Sequence, residues 1–139
     1  MVTEADIRVE RVRLVGDWNV RATHVATGWS AVVMATDDRV ADRERAIAKL
    51  QALLDDIELV RTMVANGSSV DEAATVLVNE RGRSPIPAIK ALAYGLEVGF
   101  QDAKVVVHRN LSPSAQAAAE RLWDAAEEAL TLEHRTTPD

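Results

Sequence analysis

Apolar and polar residues alternate over the first third of the chain. Ile7 and Val9, then Val12 and Leu14, sit among Arg8, Glu10, Arg11 and Arg13. A period of two is the signature of a strand. The phase changes at Glu10-Arg11, which predicts a bulge. Val15-Gly16-Asp17-Trp18 reads as a turn, and Trp18, Val20, Ala22 and His24 then alternate with Asn19, Arg21 and Thr23. Ala26-Thr27-Gly28 reads as a second turn, and Trp29 to Thr36 is a β-branched apolar run. Turns at this spacing predict three antiparallel strands in up-down order, with one apolar face that needs a cover.

The period then lengthens. Ile47, Leu50, Leu54, Ile57, Val60 and Val64 recur at steps of three and four, a helical stripe from about Val40 to Ala65 that supplies the cover. Asn66-Gly67 stops it. Ser69 with Glu72 three residues later is a capping box, opening a helix to about Glu80. Ser84-Pro85 opens the next with proline at the first helical position, where its missing N–H costs little. Gly99-Phe100 makes a corner: Gly99 supplies the left-handed or tight backbone, Phe100 plugs it, and Ala91, Gly95 and Ala103 allow close helix approach. The following helix runs to about Arg109. Ser112-Pro113 opens a last helix to about Leu132.

The expected fold is therefore α+β: a three-stranded antiparallel β-meander covered by a long helix, then about four short-looped helices. The expected organisation is residues 1–66 as meander plus long helix, 67–132 as a helical region and 133–139 as a flexible tail.

Composition narrows the function classes. The chain has 139 residues, no cysteine and a formal net charge of −6. Disulfides, zinc–thiolate sites and thiol catalysis are excluded. A broad nonspecific interaction with nucleic acid is disfavoured, since phosphate binding needs local positive charge. Arg8, Arg11, Arg13 and Arg21 nevertheless make the strands locally basic, and on one shared face they would form a small RNA-facing patch. The acidic N-terminus lacks the apolar run of a signal peptide, and no stretch approaches a membrane span, so a cytoplasmic location and no membrane partner are expected.

Catalytic chemistry is sparse. His24, His108 and His134 lack a second ligand at metal spacing, and no phosphate loop or nucleophile elbow occurs. Asp55-Asp56 reads as a solvated helix face, because adjacent helical residues do not face each other. Asp37-Asp38 reads as cap and first-turn charge of the long helix. An enzyme built on His24, Asp37 and Asp38 would lack an orienting partner. No catalytic residue, metal or cofactor is expected. Trp18 and Trp29 either fill the gap between sheet and helix or serve as exposed aromatic anchors.

Two stretches resemble translation proteins. Val20-Arg21-Ala22-Thr23-His24-Val25-Ala26-Thr27-Gly28 resembles the Val-Arg-x-Thr-His-x-Pro-Thr-Gly strand and turn of class I peptide-chain release factors. The likeness extends over residues 20–54 but lacks Gly-Gly-Gln, so peptidyl-tRNA hydrolysis is not implied. Residues 86–107 resemble the helix-turn-helix of the ribosomal stalk protein's C-terminal domain, through Ile89-Lys90-Ala91-Leu92, Val98-Gly99-Phe100, Asp102-Ala103-Lys104 and Val106-Val107. That resemblance implies that Lys90 and Lys104, with Ile86 and Ile89, bind a translational GTPase. The family's arginine is Ala93 here, its lysine before glutamate is Gln101, and a helix from Ser112 replaces its last strand.

Together these features lead to the expectation of a non-catalytic, translation-associated interaction factor, docking on the ribosome or a translational GTPase. The alternative is an antitoxin-, immunity- or adaptor-type module that self-associates, the apolar face of Ala115 to Leu132 making a homodimer contact.

Overall fold

The computed structural model describes residues 6–14 and 16–120. The architecture is α+β. Strands β1 (Ile7–Leu14), β2 (Asp17–His24) and β3 (Ser30–Met34) form one antiparallel sheet in the order β1-β2-β3. Helix α1 (Arg39–Ala65) follows, then α2 (Val70–Thr75), a π-helical turn (Val76–Glu80), α3 (Pro85–Leu96) and α4 (Phe100–Arg109). Residues 113–120 are helical; the expected end of that helix at Leu132, the tail 133–139, Trp123 and His134 lie outside the described residues.

The chain forms two compact units, which divide inside α1 between Ala52 and Leu53. The break expected at residue 66 marks the end of α1. The reason for the earlier division is that Leu53, Ile57 and Val60, all buried, belong to the core of the helical unit.

In the first unit the β1–β2 register is unbroken, from Ile7 opposite His24 to Leu14 opposite Asp17. The bulge expected at Glu10-Arg11 is not there. The phase change has another cause: both sheet faces bury apolar residues. Ile7, Val20, Ala22 and Ala31 lie on one face, and Val12, Leu14 and Val32 cluster on the other. Glu10 and Arg21 interrupt that second face, directly opposite each other, with Arg21 Nη2 2.8 Å from Glu10 Oε1. Arg21 is buried, so its charge is balanced on the spot.

The start of α1 is tied to the sheet's last strand. Asp42, buried in the first turn, accepts from Thr36 N at 2.8 Å and from Thr36 Oγ1 at 2.6 Å, and it also pairs with Arg45. The Thr36 hydroxyl and amide, then Arg45, hold the Asp42 carboxyl below the usual carboxylate range. Lys49 Nζ reaches Val32 O at 2.7 Å. Asp38 caps the helix through Ala41 N at 3.0 Å, as its position in the sequence predicts.

In the second unit the capping box closes in both directions, Glu72 N to Ser69 Oγ at 3.1 Å and Ser69 N to Glu72 Oε1 at 3.2 Å. The helix opened there does not stay α-helical. Arg81 N bonds to Val76 O, an i to i+5 step that widens the last turn. Asp56, expected on a solvated face, is instead 1% exposed. It accepts from Arg81 Nη1 at 2.7 Å and from Arg83 Nε at 2.7 Å, while its neighbour Asp55 is exposed.

Candidate interaction surface at the α3–α4 corner

Helix α3 is apolar nearly all round. Ala88, Ile89, Lys90, Ala91, Leu92 and Ala93 are all buried. Gly95 lies against α1: a Cβ there would stand 3.1 Å from Val60 Cγ1. The helix closes at Glu97, whose φ of 56° and ψ of 42° are left-handed. Val98 N reaches back to Ala93 O at 3.0 Å, the bond of a Schellman closure. The left-handed position expected at Gly99 is therefore Glu97. Gly99, at φ −69° and ψ 157°, is the extended N-cap of α4. Phe100 does pack the corner, edge-on to Tyr94 with ring centroids 5.8 Å apart.

Helix α4 buries Ala103 and Val107 and leaves Val105 57% exposed; Val98, at the corner, is 40% exposed. A shallow groove between α3 and α4 is lined by Leu92, Leu96, Val98, Asp102, Ala103 and Val106. Its far wall carries Val70 and Arg109. The wall is fixed by a bidentate pair, Arg109 Nε to Asp71 Oδ1 at 2.6 Å and Nη2 to Oδ2 at 2.7 Å, with Asn110 Nδ2 donating to Asp71 at 2.8 Å. Arg109 first, then Asn110, hold the Asp71 carboxyl down at about 2.

The four residues matched to the stalk-protein surface do not come together on this corner. Ile89 is fully buried and Lys90 is 4% exposed, so neither presents a side chain to a partner. Ile86 and Lys104 are half-buried. The physical reason lies in α3 itself: apolar residues on all sides of a twelve-residue helix, with Lys90 the one charged residue among them, leave Lys90 inside. The exposed valines 98 and 105 fall within the resembling stretch but are not among the four residues matched to its binding surface.

The four arginines expected to share a face are split. Strand alternation puts Arg8 and Arg21 on one face of the sheet and Arg11 and Arg13 on the other. Arg21 is buried against Glu10, so no single patch contains all four.

The segment that resembles release factors is a hairpin turn with its own bonding. His24 Nδ1 lies 2.8 Å from Thr27 Oγ1, and Thr27 Oγ1 also accepts from Trp29 N at 3.2 Å. Gly28, at φ 78°, donates to His24 O at 2.8 Å. The Thr-His-x-x-Thr-Gly spacing thus serves a turn in which His24 and Thr27 hold each other. Among the described residues no cluster of three or more His, Cys, Asp or Glu side chains is placed to hold a metal, and no helix is long and apolar enough to cross a membrane. No known protein family, curated protein or solved structure matches the chain.

Proposed function

We propose that this chain is a non-catalytic protein-interaction factor, associated with translation, that docks on the ribosome or a translational GTPase through the α3–α4 corner. The observation that carries this reading is the exposure of Val98 in an apolar groove walled by Leu92, Leu96 and Val106, with Val105 also exposed on α4. Apolar side chains exposed around a concave apolar surface are what a protein partner covers. The partner class comes from the stalk-protein resemblance of residues 86–107. The chain's acidic balance suits a protein surface better than bulk ribosomal RNA.

The test is co-purification of ribosomes and translational GTPases with the tagged protein at low salt. Val98→Asp combined with Val105→Asp is expected to abolish recovery without lowering the melting temperature. Equal recovery with the double variant would sink the assignment of this corner. No recovery with the parent protein, together with a stable homodimer by light scattering, would favour the self-associating antitoxin, immunity or adaptor reading. The further exposure of Met34 and Val40, 66% and 68%, supports that second reading.

A further inference from the structure

The split of the strand arginines leaves a more defined cluster than the one expected. Trp18 is 51% exposed at the start of β2. Its direct cross-strand partner is Arg13, and Arg11 is the diagonal neighbour on the same face. The Arg11 guanidinium lies 5.4 Å from the indole centroid and that of Arg13 lies 6.0 Å from it. Arg13 Nε also donates to Gly16 O at 3.1 Å, which fixes its guanidinium beside the ring.

Two further arginines extend the positive surface. Arg39 and Arg43, on the first turns of α1, line a shallow groove with Arg11, Val9 and Val20. Two carboxylates also border this groove, and both are engaged: Glu10 by Arg21 and Asp42 by Arg45. Asp17, next to Trp18 in sequence, alternates to the opposite sheet face. A chain of net charge −6 thus sets two arginines against an exposed indole and two more along the groove that Arg11 borders.

We propose that Trp18, Arg11 and Arg13, with Arg39 and Arg43 alongside, form a binding platform for single-stranded nucleic acid. Unpaired bases stack on aromatic rings and guanidinium planes, and the arginine charges neutralise the phosphates that connect them. A duplex keeps its base faces inside the stack, so the indole selects for single strands. An anionic lipid surface would also take this charge and seat an indole, but it offers no bases to the guanidinium planes beside the ring, and it stands as an outcome of the test. The site belongs to the first unit and stands or falls independently of the α3–α4 corner. Four phosphate contacts on a single strand give a slope of about −3 in log affinity against log salt. Binding is therefore expected to be clear at low salt and weak at physiological salt.

Fluorescence anisotropy of fluorescein-labelled oligouridine, titrated with the full chain at low salt, tests this. Saturable binding is expected, with a matching oligonucleotide duplex bound more weakly. Trp18→Ala should weaken binding about tenfold, the loss of one stacked base, and Trp18→Phe should restore most of it. Arg11→Ala with Arg13→Ala should flatten the salt slope by about 1.4. Arg8→Ala, on the opposite face, should change neither quantity. Thermal melts of each variant keep loss of binding apart from loss of fold. The proposal is overturned by any of three results: no saturable binding at low salt; unchanged affinity in Trp18→Ala; or Arg8→Ala weakening binding as much as Arg11→Ala. Capture by phosphatidylserine vesicles without oligouridine binding overturns it as well.

Discussion

Asp56 and Arg83 are joined by two hydrogen bonds, Nε to Oδ2 at 2.7 Å and Nη2 to Oδ1 at 3.3 Å, with the carboxylate inside the helical unit. Arg81 adds a third at 2.7 Å. The two arginines flank Gly82 and lead into α3, so one buried carboxylate on α1 sets where α3 begins. Asp56→Ala should cost about 3 kcal/mol, the lower end for breaking a buried ion pair, because the arginines are partly exposed and can rehydrate. Denaturant unfolding of the variant checks this. A cost below about 1 kcal/mol would mean that Asp56 is a surface-type pair.

Glu97 is the sole non-glycine among the described residues with a positive φ. A left-handed conformation costs a residue with a Cβ about 1 kcal/mol. Glu97→Gly should therefore raise stability by about 1 kcal/mol while the corner keeps its shape. Chemical denaturation reads the gain directly. A loss would show that the Glu97 side chain makes a stabilising contact that outweighs the strain.

Lys90 was expected at a docking surface and lies in the core of α3 instead. Lys90→Glu reverses a charge that is almost fully enclosed, and about 3 kcal/mol of stability should be lost. Lys104→Glu, on a half-buried position, should cost less than about 1 kcal/mol. Paired thermal melts decide between the two sites. Equal small effects would return Lys90 to the surface.

Local rules carried much of the fold. The capping box at Ser69, proline at the first position of α3 and the Asp38 cap each act within four residues, so their chemistry is visible in a short window. The three strands were equally legible, because alternation is also a local signal. What escaped depends on partners far along the chain. Asp55-Asp56 looks like any solvated acidic pair until Arg81 and Arg83 fold onto one of the two. For Lys90 the signal was present in its neighbours, since Ala88-Ile89 and Ala91-Leu92-Ala93 on either side of it wrap apolar residues around the whole helix. The arginine split was present too. Positions 8 and 11 differ in parity, so a continuous strand sends them to opposite faces.

The pair of Asp71 with Arg109 makes an acid-sensitive staple between α2 and α4. The Asp71 carboxyl is held at about 2, against an ordinary value of 3.8, by Arg109 first and Asn110 second. Because the folded value is depressed, the stabilisation is complete above the unfolded value of 3.8 and is lost as pH falls toward about 2. Asp42, lowered by its Thr36 hydrogen bonds, titrates in the same direction. Stability should accordingly fall between about pH 4 and pH 2. Asp71→Asn should lower stability at neutral pH and make that acid-side fall shallower. Melting temperatures of parent and variant, measured from neutral pH down to pH 2, give the comparison. Parallel curves would mean that the Asp71–Arg109 pair is too well solvated to contribute, and that the acid sensitivity arises at Asp42 or elsewhere.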